Sequence, residues 1–178
     1  MEAISATGIG AALPRSEDRR LLTGEGRFSD DISRPDQVFV AMVRSPYAHA
    51  ELFGIDTAAA EAMPGVLAVL TGNDWRNDGL GPMPAWGNPK DVELKNIDGT
   101  PIFYTPLWPV AVDRLRRAGE IVAIIVAETD DAAHEAAERV GIDCKILPAV
   151  VDPASAVADG APLLWDEAPG NLNLLDEK

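Results

Sequence analysis

The sequence predicts an α+β domain in which two or three helices pack on a mixed β-sheet, preceded by an extended N-terminal arm. Three observations support this prediction. Segments rich in β-branched residues alternate with short alanine-rich segments, as expected when helices cover a sheet. The order strand, strand, helix, strand occurs twice, on either side of a long segment rich in proline and glycine. The chain has 178 residues, which is the length of one domain.

The first 36 residues form the predicted arm. They show no helix or strand period, and glycines and prolines interrupt them repeatedly. A segment of this kind buries little of its own surface, so we expect it to lie on another part of the protein.

The domain is predicted over residues 37–160, and its first half holds three strands and one helix. β-Branched and aromatic residues are concentrated in the strand segments. The first of these segments is apolar almost throughout, which predicts burial on both of its faces. A short alanine-rich helix is predicted between the second strand and Pro64. The predicted strands span 37–44, 50–55 and 66–70, and the helix spans 58–63.

A long loop is predicted over residues 76–109, which contain six prolines. One helical turn is predicted just before it, at residues 71–75. Loops of this length inside a compact domain are usually functional or mobile. The two tryptophans in this loop are expected to pack locally or to contact a ligand.

The second half repeats the pattern of the first half. Thr129 is the predicted N-cap of a helix whose alanines share one narrow face, and Gly141 is its expected left-handed C-terminal residue. Asp152 and Pro153 predict the start of a further short helix. A loop-like tail over 161–178 follows, with Trp165 as its anchor. The strands are predicted at 110–117, 121–127 and 142–147.

Charge and composition exclude several classes of protein. There are 29 acidic against 15 basic residues, a net charge of -14. Nucleic acids and anionic membranes bind basic surfaces, so neither is expected as a partner. The single cysteine, Cys144, excludes an internal disulfide and is expected to be a buried structural thiol. No signal peptide or spanning segment is recognised, so we expect a cytoplasmic protein.

The residues by themselves indicate no catalytic, cofactor-binding or metal-binding site. The glycine pairs at 8–10 and 24–26 do not join a strand to a helix, as a nucleotide-binding loop would. His49 and His134 are far apart in sequence, and neither has a second ligand at helical spacing. No serine stands in a nucleophile-elbow motif. Nothing therefore assembles a nucleophile, a base and an oxyanion donor.

Several strings, in order and over most of the chain, resemble the large subunits of molybdenum hydroxylases. This family includes xanthine dehydrogenase, aldehyde oxidase and aerobic carbon monoxide dehydrogenase. Ile121 departs from the pattern, since many members have proline there. The strings are RSEDRRLLTGEGRFSDD at 15–31, VRSPYAHA at 43–50, PGVLAVLTG at 64–72, GEIVA at 119–123, VAET at 126–129, LPAVVD at 147–152 and EAPGN at 167–171.

The resemblance implies that this chain is the family's α/β hammerhead domain, with a tail that leads toward a cofactor domain. The molybdenum-pterin cofactor and the catalytic residues are expected in other domains of the large subunit, so this chain binds no cofactor and does not catalyse alone. Expected partners are those domains, an iron–sulfur small subunit and an FAD medium subunit. We expect the chain to be a fragment, a truncated chain or a split subunit.

Two further expectations follow from the resemblance. In related subunits the loop before the strand that begins here at Asp113 reaches the substrate funnel. Phe103 and Tyr104 are therefore candidates for a funnel wall, with plain loop packing as the alternative. For the chain as a whole, the alternative function is that of a free-standing structural or assembly module without redox activity.

Overall fold

The computed structural model describes residues 15–83 and 94–176. The first 14 residues of the predicted arm, residues 84–93 of the predicted loop and the last two residues of the tail lie outside the described residues. The chain divides between Gln37 and Val38 into two compact units.

The first unit contains one short helix, α1, over Asp18–Leu22 and a 3₁₀ turn over Ser29–Asp31. The Asp18 carboxylate accepts a hydrogen bond from the Arg15 amide at 3.1 Å, which closes the turn that precedes the helix. Arg20 pairs with Glu17 at 2.6 Å one turn away. The predicted arm is therefore not extended throughout. It is helical at Asp18–Leu22, where local side-chain contacts close a turn.

The second unit contains six strands and four helices among its described residues, in the order that the alternating composition predicts. The strands are β1 Phe39–Arg44, β2 Ala50–Asp56, β3 Val66–Thr71, β4 Arg114–Leu115, β5 Ile121–Ala127 and β6 Gly141–Ile146. The helices are α2 Ala58–Glu61, α3 Gly72–Asn77, α4 Asp130–Ala137 and α5 Pro153–Ala156. A second 3₁₀ turn spans Pro169–Asn171.

The strands form two three-stranded sheets, with the orders β1-β5-β3 and β4-β2-β6. Every pairing in them is antiparallel. The α+β class is thus confirmed, while the single mixed sheet is corrected to two antiparallel sheets. Strands that follow each other in sequence lie in different sheets here, and strand periodicity does not encode that pairing.

Helices α2 and α4 cover one face of the first sheet. Ala133 and Ala136 of α4 and Ala60 of α2 are completely buried. Side chains this small allow the helices to lie close to the strands. The buried residues of this core are Ala41, Ala60, Ile125, Ala127, Ala133 and Ala136.

The opposite face of the first sheet is open, which corrects the prediction that β1 is buried on both faces. The register places Val40, Val126 and Ala68 in one row and Met42, Ile124 and Leu70 in the next. Val40, Met42 and Leu70 remain 49%, 48% and 44% exposed. An apolar run shows that a strand is compatible with burial, but neighbouring elements decide whether each face is covered.

The second sheet has its own small core. Ala50, Ala111, Leu115 and Val122 are buried together. Cys144 of β6 packs against this group and is partly buried, with its thiol free. This packing agrees with the expected structural role of Cys144, but the expected burial is only partial, because β6 is an edge strand of its sheet.

The predicted strand 110–117 is wrong except for β4. Residues 110–112 are buried and Asp113 is exposed. The segment is irregular because its backbone bonds go to separate strands. Ala111 N donates to Ile121 O at 2.7 Å, and Leu52 N donates to Asp113 O at 3.0 Å. The chain therefore bridges the ends of two sheets instead of extending one.

Gly141 is the first residue of β6 and not the left-handed end of α4, which corrects a second local prediction. A Cβ at this position would lie 3.3 Å from the Cβ of Asp56, its partner in β2. Close strand approach explains this glycine better than helix termination does.

Candidate functional site

A cavity of about 580 Å³ lies at one end of the second sheet. Antiparallel pairing sets Ala50 opposite both Leu115 and Ile146, so the start of β2 meets the ends of β4 and β6. The residues just outside these strand ends line the cavity together with part of the C-terminal segment 162–173. Most of the lining side chains are apolar. The polar ones are His49, Thr105, Arg116, Arg117, Asn171 and Asn173.

Trp165 closes one wall of this cavity by stacking on Arg116. The guanidinium carbon of Arg116 lies 3.6 Å from the ring centroid of Trp165, a cation–π contact. Arg116 Nε donates to the Leu164 carbonyl at 3.2 Å. Trp165 is therefore the anchor that the sequence predicts for the tail.

Two acidic residues also contact Arg116. Its Nη1 lies 3.5 Å from the Asp113 carboxylate, and its backbone N–H donates to buried Glu120 at 2.7 Å. Burial lowers the pKa of the Arg116 guanidinium, and the Asp113 carboxylate opposes that shift. Arg116 remains cationic, since an arginine side chain does not deprotonate in proteins.

Asn171 holds the tail in place through three hydrogen bonds. Its Oδ1 accepts from Leu164 N at 2.9 Å. Its Nδ2 donates to the Ala156 carbonyl at 2.8 Å and to the Pro162 carbonyl at 3.1 Å. One amide side chain thus joins α5 to two points of the C-terminal segment.

The last described residues run beside part of the predicted loop. Phe103 N donates to Asn173 O at 3.0 Å, and Ile97 N donates to Leu175 O at 2.9 Å. Asn173 Nδ2 donates to Thr105 Oγ1 at 2.8 Å. Because of these bonds, the tail and residues 96–105 form one continuous wall.

His49 is a buried polar residue at the cavity wall whose contacts the sequence does not predict. The residue is 5% exposed, and its Nδ1 lies 2.8 Å from the Pro148 carbonyl oxygen. Its Nε2 is buried and has no hydrogen-bond partner among the described residues. A search for metal-ligand spacing does not find a histidine of this kind, because its partner is 99 positions away.

The two predicted funnel residues lie near this cavity but do not line it. The ring centroid of Phe103 is 6.1 Å from that of Trp165, in a tilted arrangement. Tyr104 is half exposed. Their neighbour Thr105 lines both this cavity and an adjacent one of about 240 Å³. Their role in a funnel stays a prediction.

The described residues do not provide the groups that a catalytic metal site needs. No cluster of three or more His, Cys, Asp or Glu side chains in residues 15–83 and 94–176 could hold a metal ion. Glu120, the one buried carboxylate among the described residues, accepts a hydrogen bond from the Arg116 amide. In the same part of the chain, no helix is long and apolar enough to cross a membrane.

Comparison with known proteins places this architecture in a family. Residues 23–148 match the family described as the a/b hammerhead domain of aldehyde oxidase and xanthine dehydrogenase. The nicotine 6-hydroxylase large subunit of Paenarthrobacter nicotinovorans is 37% identical over 172 residues, which is 96% of this chain and 20% of that protein. The carbon monoxide dehydrogenase large chain of Afipia carboxidovorans is 36% identical over 90% of this chain and 18% of its own length.

Solved structures agree with the sequence matches. The Cu,Mo-CO dehydrogenase structure has a TM-score of 0.72 and 34% identity, over 90% of this chain and 18% of that chain. Quinoline 2-oxidoreductase from Pseudomonas putida 86 has a TM-score of 0.71 and 34% identity, over 87% of this chain and 18% of that chain. The chain spans about a fifth of the length of the relatives it matches. It belongs to the α/β hammerhead domain family of aldehyde oxidases and xanthine dehydrogenases.

Proposed function

We propose that this chain serves as the hammerhead domain of a large subunit in a molybdenum-cofactor-dependent oxidoreductase, and that it has no catalytic activity by itself. The observation that carries the proposal is the match over 96% of the chain to only 20% of a hydroxylase large subunit. Such coverage is expected of one module within a longer catalytic chain. We place the complete enzyme in the cytoplasm.

The reaction of the whole enzyme is proposed as hydroxylation of a heterocycle or aldehyde, or oxidation of carbon monoxide. Identities of 37% to nicotine 6-hydroxylase and 36% to carbon monoxide dehydrogenase support both reactions equally. The remaining large-subunit domains would hold the molybdenum-pterin cofactor. An iron–sulfur small subunit and an FAD medium subunit would be the electron-transfer partners.

Metal analysis tests this proposal. A large subunit that contains this chain, purified with its partners, should carry molybdenum in stoichiometric amount, whereas the isolated 178-residue chain should carry none. Stoichiometric molybdenum in the isolated chain would place the cofactor site here and contradict the proposal. A reading frame that stops at Lys178 with no neighbouring molybdenum subunit would favour a free-standing structural or assembly module instead.

Within the complete enzyme, we propose that Phe103 and Tyr104 form part of the substrate funnel wall. Support comes from the half-exposed Tyr104 and from the contact of Phe103 with the tail. Substitution of each by alanine in the complete enzyme should change kcat/KM by different factors for substrates of different size. Phe53→Ala, at an exposed position on β2, is the matched control. Equal kcat/KM values across substrates would show that the two residues only pack the loop.

A further inference from the structure

The face of the first sheet opposite α2 and α4 presents a contiguous apolar surface. Two rows of side chains cross its three strands, and neighbours within a row lie on strands about 5 Å apart. Each of these six residues is apolar, and none of them is buried. Contiguous exposed apolar surface marks an interaction site, whereas single exposed apolar residues do not. The six residues form the open face: Val40, Met42, Ala68, Leu70, Ile124 and Val126.

The open face continues an apolar core that is already formed inside the domain. Val122, Ile124 and Val126 alternate along β5, so their side chains point to the same face of the sheet. Val122 is completely buried in the core of the second sheet, together with Leu115. Among the described residues, this cover stops after Val122, and Ile124 and Val126 are only partly buried. A further apolar layer on the open face would therefore extend an existing core.

Charge and chain length indicate what covers the open face. The chain carries a net charge of -14, so two copies repel each other, which disfavours a second copy as the cover. The chain spans only 20% of the nicotine 6-hydroxylase large subunit and 18% of the carbon monoxide dehydrogenase large chain. In a subunit of that length, most of the polypeptide is tethered to this domain at a high effective concentration. The tethered domains are therefore favoured over a separate molecule.

We propose that the open face is the docking surface for the remaining domains of the large subunit, which cover it with apolar side chains. A polar or charged group set against these rows would lose its water without gaining a hydrogen bond, because the six side chains are apolar. The covering surface is therefore apolar at this contact. The inference rests on the proposed function, since it assumes that this chain is one domain of a longer large subunit.

The rate at which hydrogen peroxide oxidises Met42 measures whether the open face is covered. Met42 and the loop residue Met83 are equally exposed, so both should oxidise readily in the isolated 178-residue chain. In the complete enzyme, Met42 should oxidise at least about tenfold more slowly. An equal Met42 rate in the isolated chain and the complete enzyme would overturn the proposal. Slow oxidation of Met42 in the isolated chain would also overturn it, because the cover would then belong to this chain or to a second copy.

Photo-crosslinking in the complete enzyme identifies the residues that cover Met42. Photo-methionine incorporated in place of methionine forms a covalent bond with its nearest neighbour on irradiation. Mass spectrometry of the product at position 42 should find a peptide of the large subunit that lies outside these 178 residues. A peptide from within the 178 residues, or from the iron–sulfur or FAD subunit, would assign the open face to another occupant and contradict the proposal.

Met42→Gln tests whether the contact is apolar. Glutamine stays solvated at this exposed position, so the urea midpoint of the isolated chain should not change. In the complete enzyme its amide would be buried without a partner, and the half-life at elevated temperature should fall at least about fivefold. Phe53→Gln is the matched control, because exposed Phe53 lies beside the paired charges of Glu51 and Lys145 on β2 and β6. Equal loss of half-life in both variants would contradict the proposal.

The molybdenum content of the enzyme separates a failure of this inference from a failure of the proposed function. A complete enzyme without molybdenum would contradict the proposed function, whatever the rate of Met42 oxidation. A molybdenum-containing enzyme in which Met42 oxidises as fast as in the isolated chain would contradict only the docking of the remaining domains on the open face. The oxidation and crosslinking measurements need no substitution, so they remain decisive if Met42→Gln fails to fold.

Discussion

Thr71 and Asp74 bond reciprocally at the start of α3. The Asp74 carboxylate accepts from Thr71 Oγ1 at 2.6 Å and from Thr71 N at 2.7 Å, and Thr71 Oγ1 accepts from Asp74 N. This capping box satisfies free backbone groups at the end of β3 and the beginning of the helix. The hydroxyl and amide of Thr71 lower the pKa of Asp74 from its ordinary value of 3.8.

Thr71→Val should therefore make the free energy of unfolding less dependent on pH in the acidic range. Because the pKa of Asp74 is lower in the folded protein than in the unfolded chain, its stabilising contribution is complete above pH 3.8 and disappears as the pH falls through the folded value. At pH 6 the variant should lose about 1 kcal/mol of unfolding free energy. This difference should narrow below pH 3.8 in urea titrations.

The Asp98–Thr100 pair is the internal control for this experiment. The Thr100 hydroxyl and amide also lower the pKa of Asp98, and the substitution does not touch them. In an NMR titration of Thr71→Val, the pKa of Asp74 should rise while that of Asp98 stays unchanged. An unchanged Asp74 pKa would show that the Thr71 hydroxyl does not stabilise the carboxylate.

Gly72 lies where the backbone of residue 111 crosses the start of α3. A Cβ on Gly72 would lie 2.1 Å from the Ala111 carbonyl oxygen, which is backbone and cannot rotate away. Gly72→Ala should therefore cost about 1–3 kcal/mol of unfolding free energy. Gly54→Ala is the matched control, since no atom lies within 4 Å of its added Cβ, and it should stay within about 0.5 kcal/mol. If the two substitutions lowered the free energy of unfolding equally, the close approach of the Ala111 carbonyl to Gly72 would be contradicted.

At the scale of the element, helix α4 illustrates how local and tertiary contributions combine. Thr129 Oγ1 accepts from the Ala132 amide at 3.2 Å, and Asp130 and Asp131 occupy the first turn, where acids interact favourably with the helix dipole. Ala133 and Ala136 then bury the helix against the first sheet. An eight-residue helix is marginal by itself, so this packing is what keeps it formed.

Thr129→Ala should cost about 1 kcal/mol of unfolding free energy, within a range of about 0.5–2 kcal/mol, because it removes the cap of α4. Thr129→Ser retains a hydroxyl acceptor and should recover most of that loss. Chemical denaturation of both variants measures the difference. If serine and alanine are equally destabilising, the methyl group of Thr129 and not its hydroxyl stabilises this turn.

At the scale of the whole second unit, the C-terminal segment connects parts of the chain that are far apart in sequence. Asn171 joins it to α5, and residues 173 and 175 bond to residues 96–105. These contacts build the cavity wall. The open face of the first sheet, by contrast, exposes two apolar rows whose cover is not supplied by the elements of this unit that the structure describes.

Asn171→Gly should loosen this wall and leave the first sheet intact. Glycine accepts the positive φ of 56° at this position, so the substitution removes the three side-chain hydrogen bonds without backbone strain. Amide hydrogen exchange at Leu164 and Phe103 should accelerate by at least about tenfold. The Ala133 amide in α4 serves as the control and should not change. Equal acceleration at all three amides would indicate global destabilisation instead.

The local signals predicted most elements of the fold. β5 was predicted with its observed ends, Ile121–Ala127, because seven apolar residues stand between a turn and a cap. Asp152 and Pro153 predicted the start of α5, and the Asp152 carboxylate does accept from Ser155 N. These features depend on residues close in sequence. Local chemistry therefore suffices to predict them.

The sequence by itself determined the order of the elements, their caps, the acidic charge and, through family resemblance, the hammerhead fold. Only the tertiary structure decided the division into two antiparallel sheets, the open face of β1 and the irregular course of residues 110–113. It also brought His49 to Pro148 and Arg116 to Trp165. These contacts join distant positions, and their formation depends on how the sheets pack. Periodicity describes each segment alone and carries no information on which segments meet.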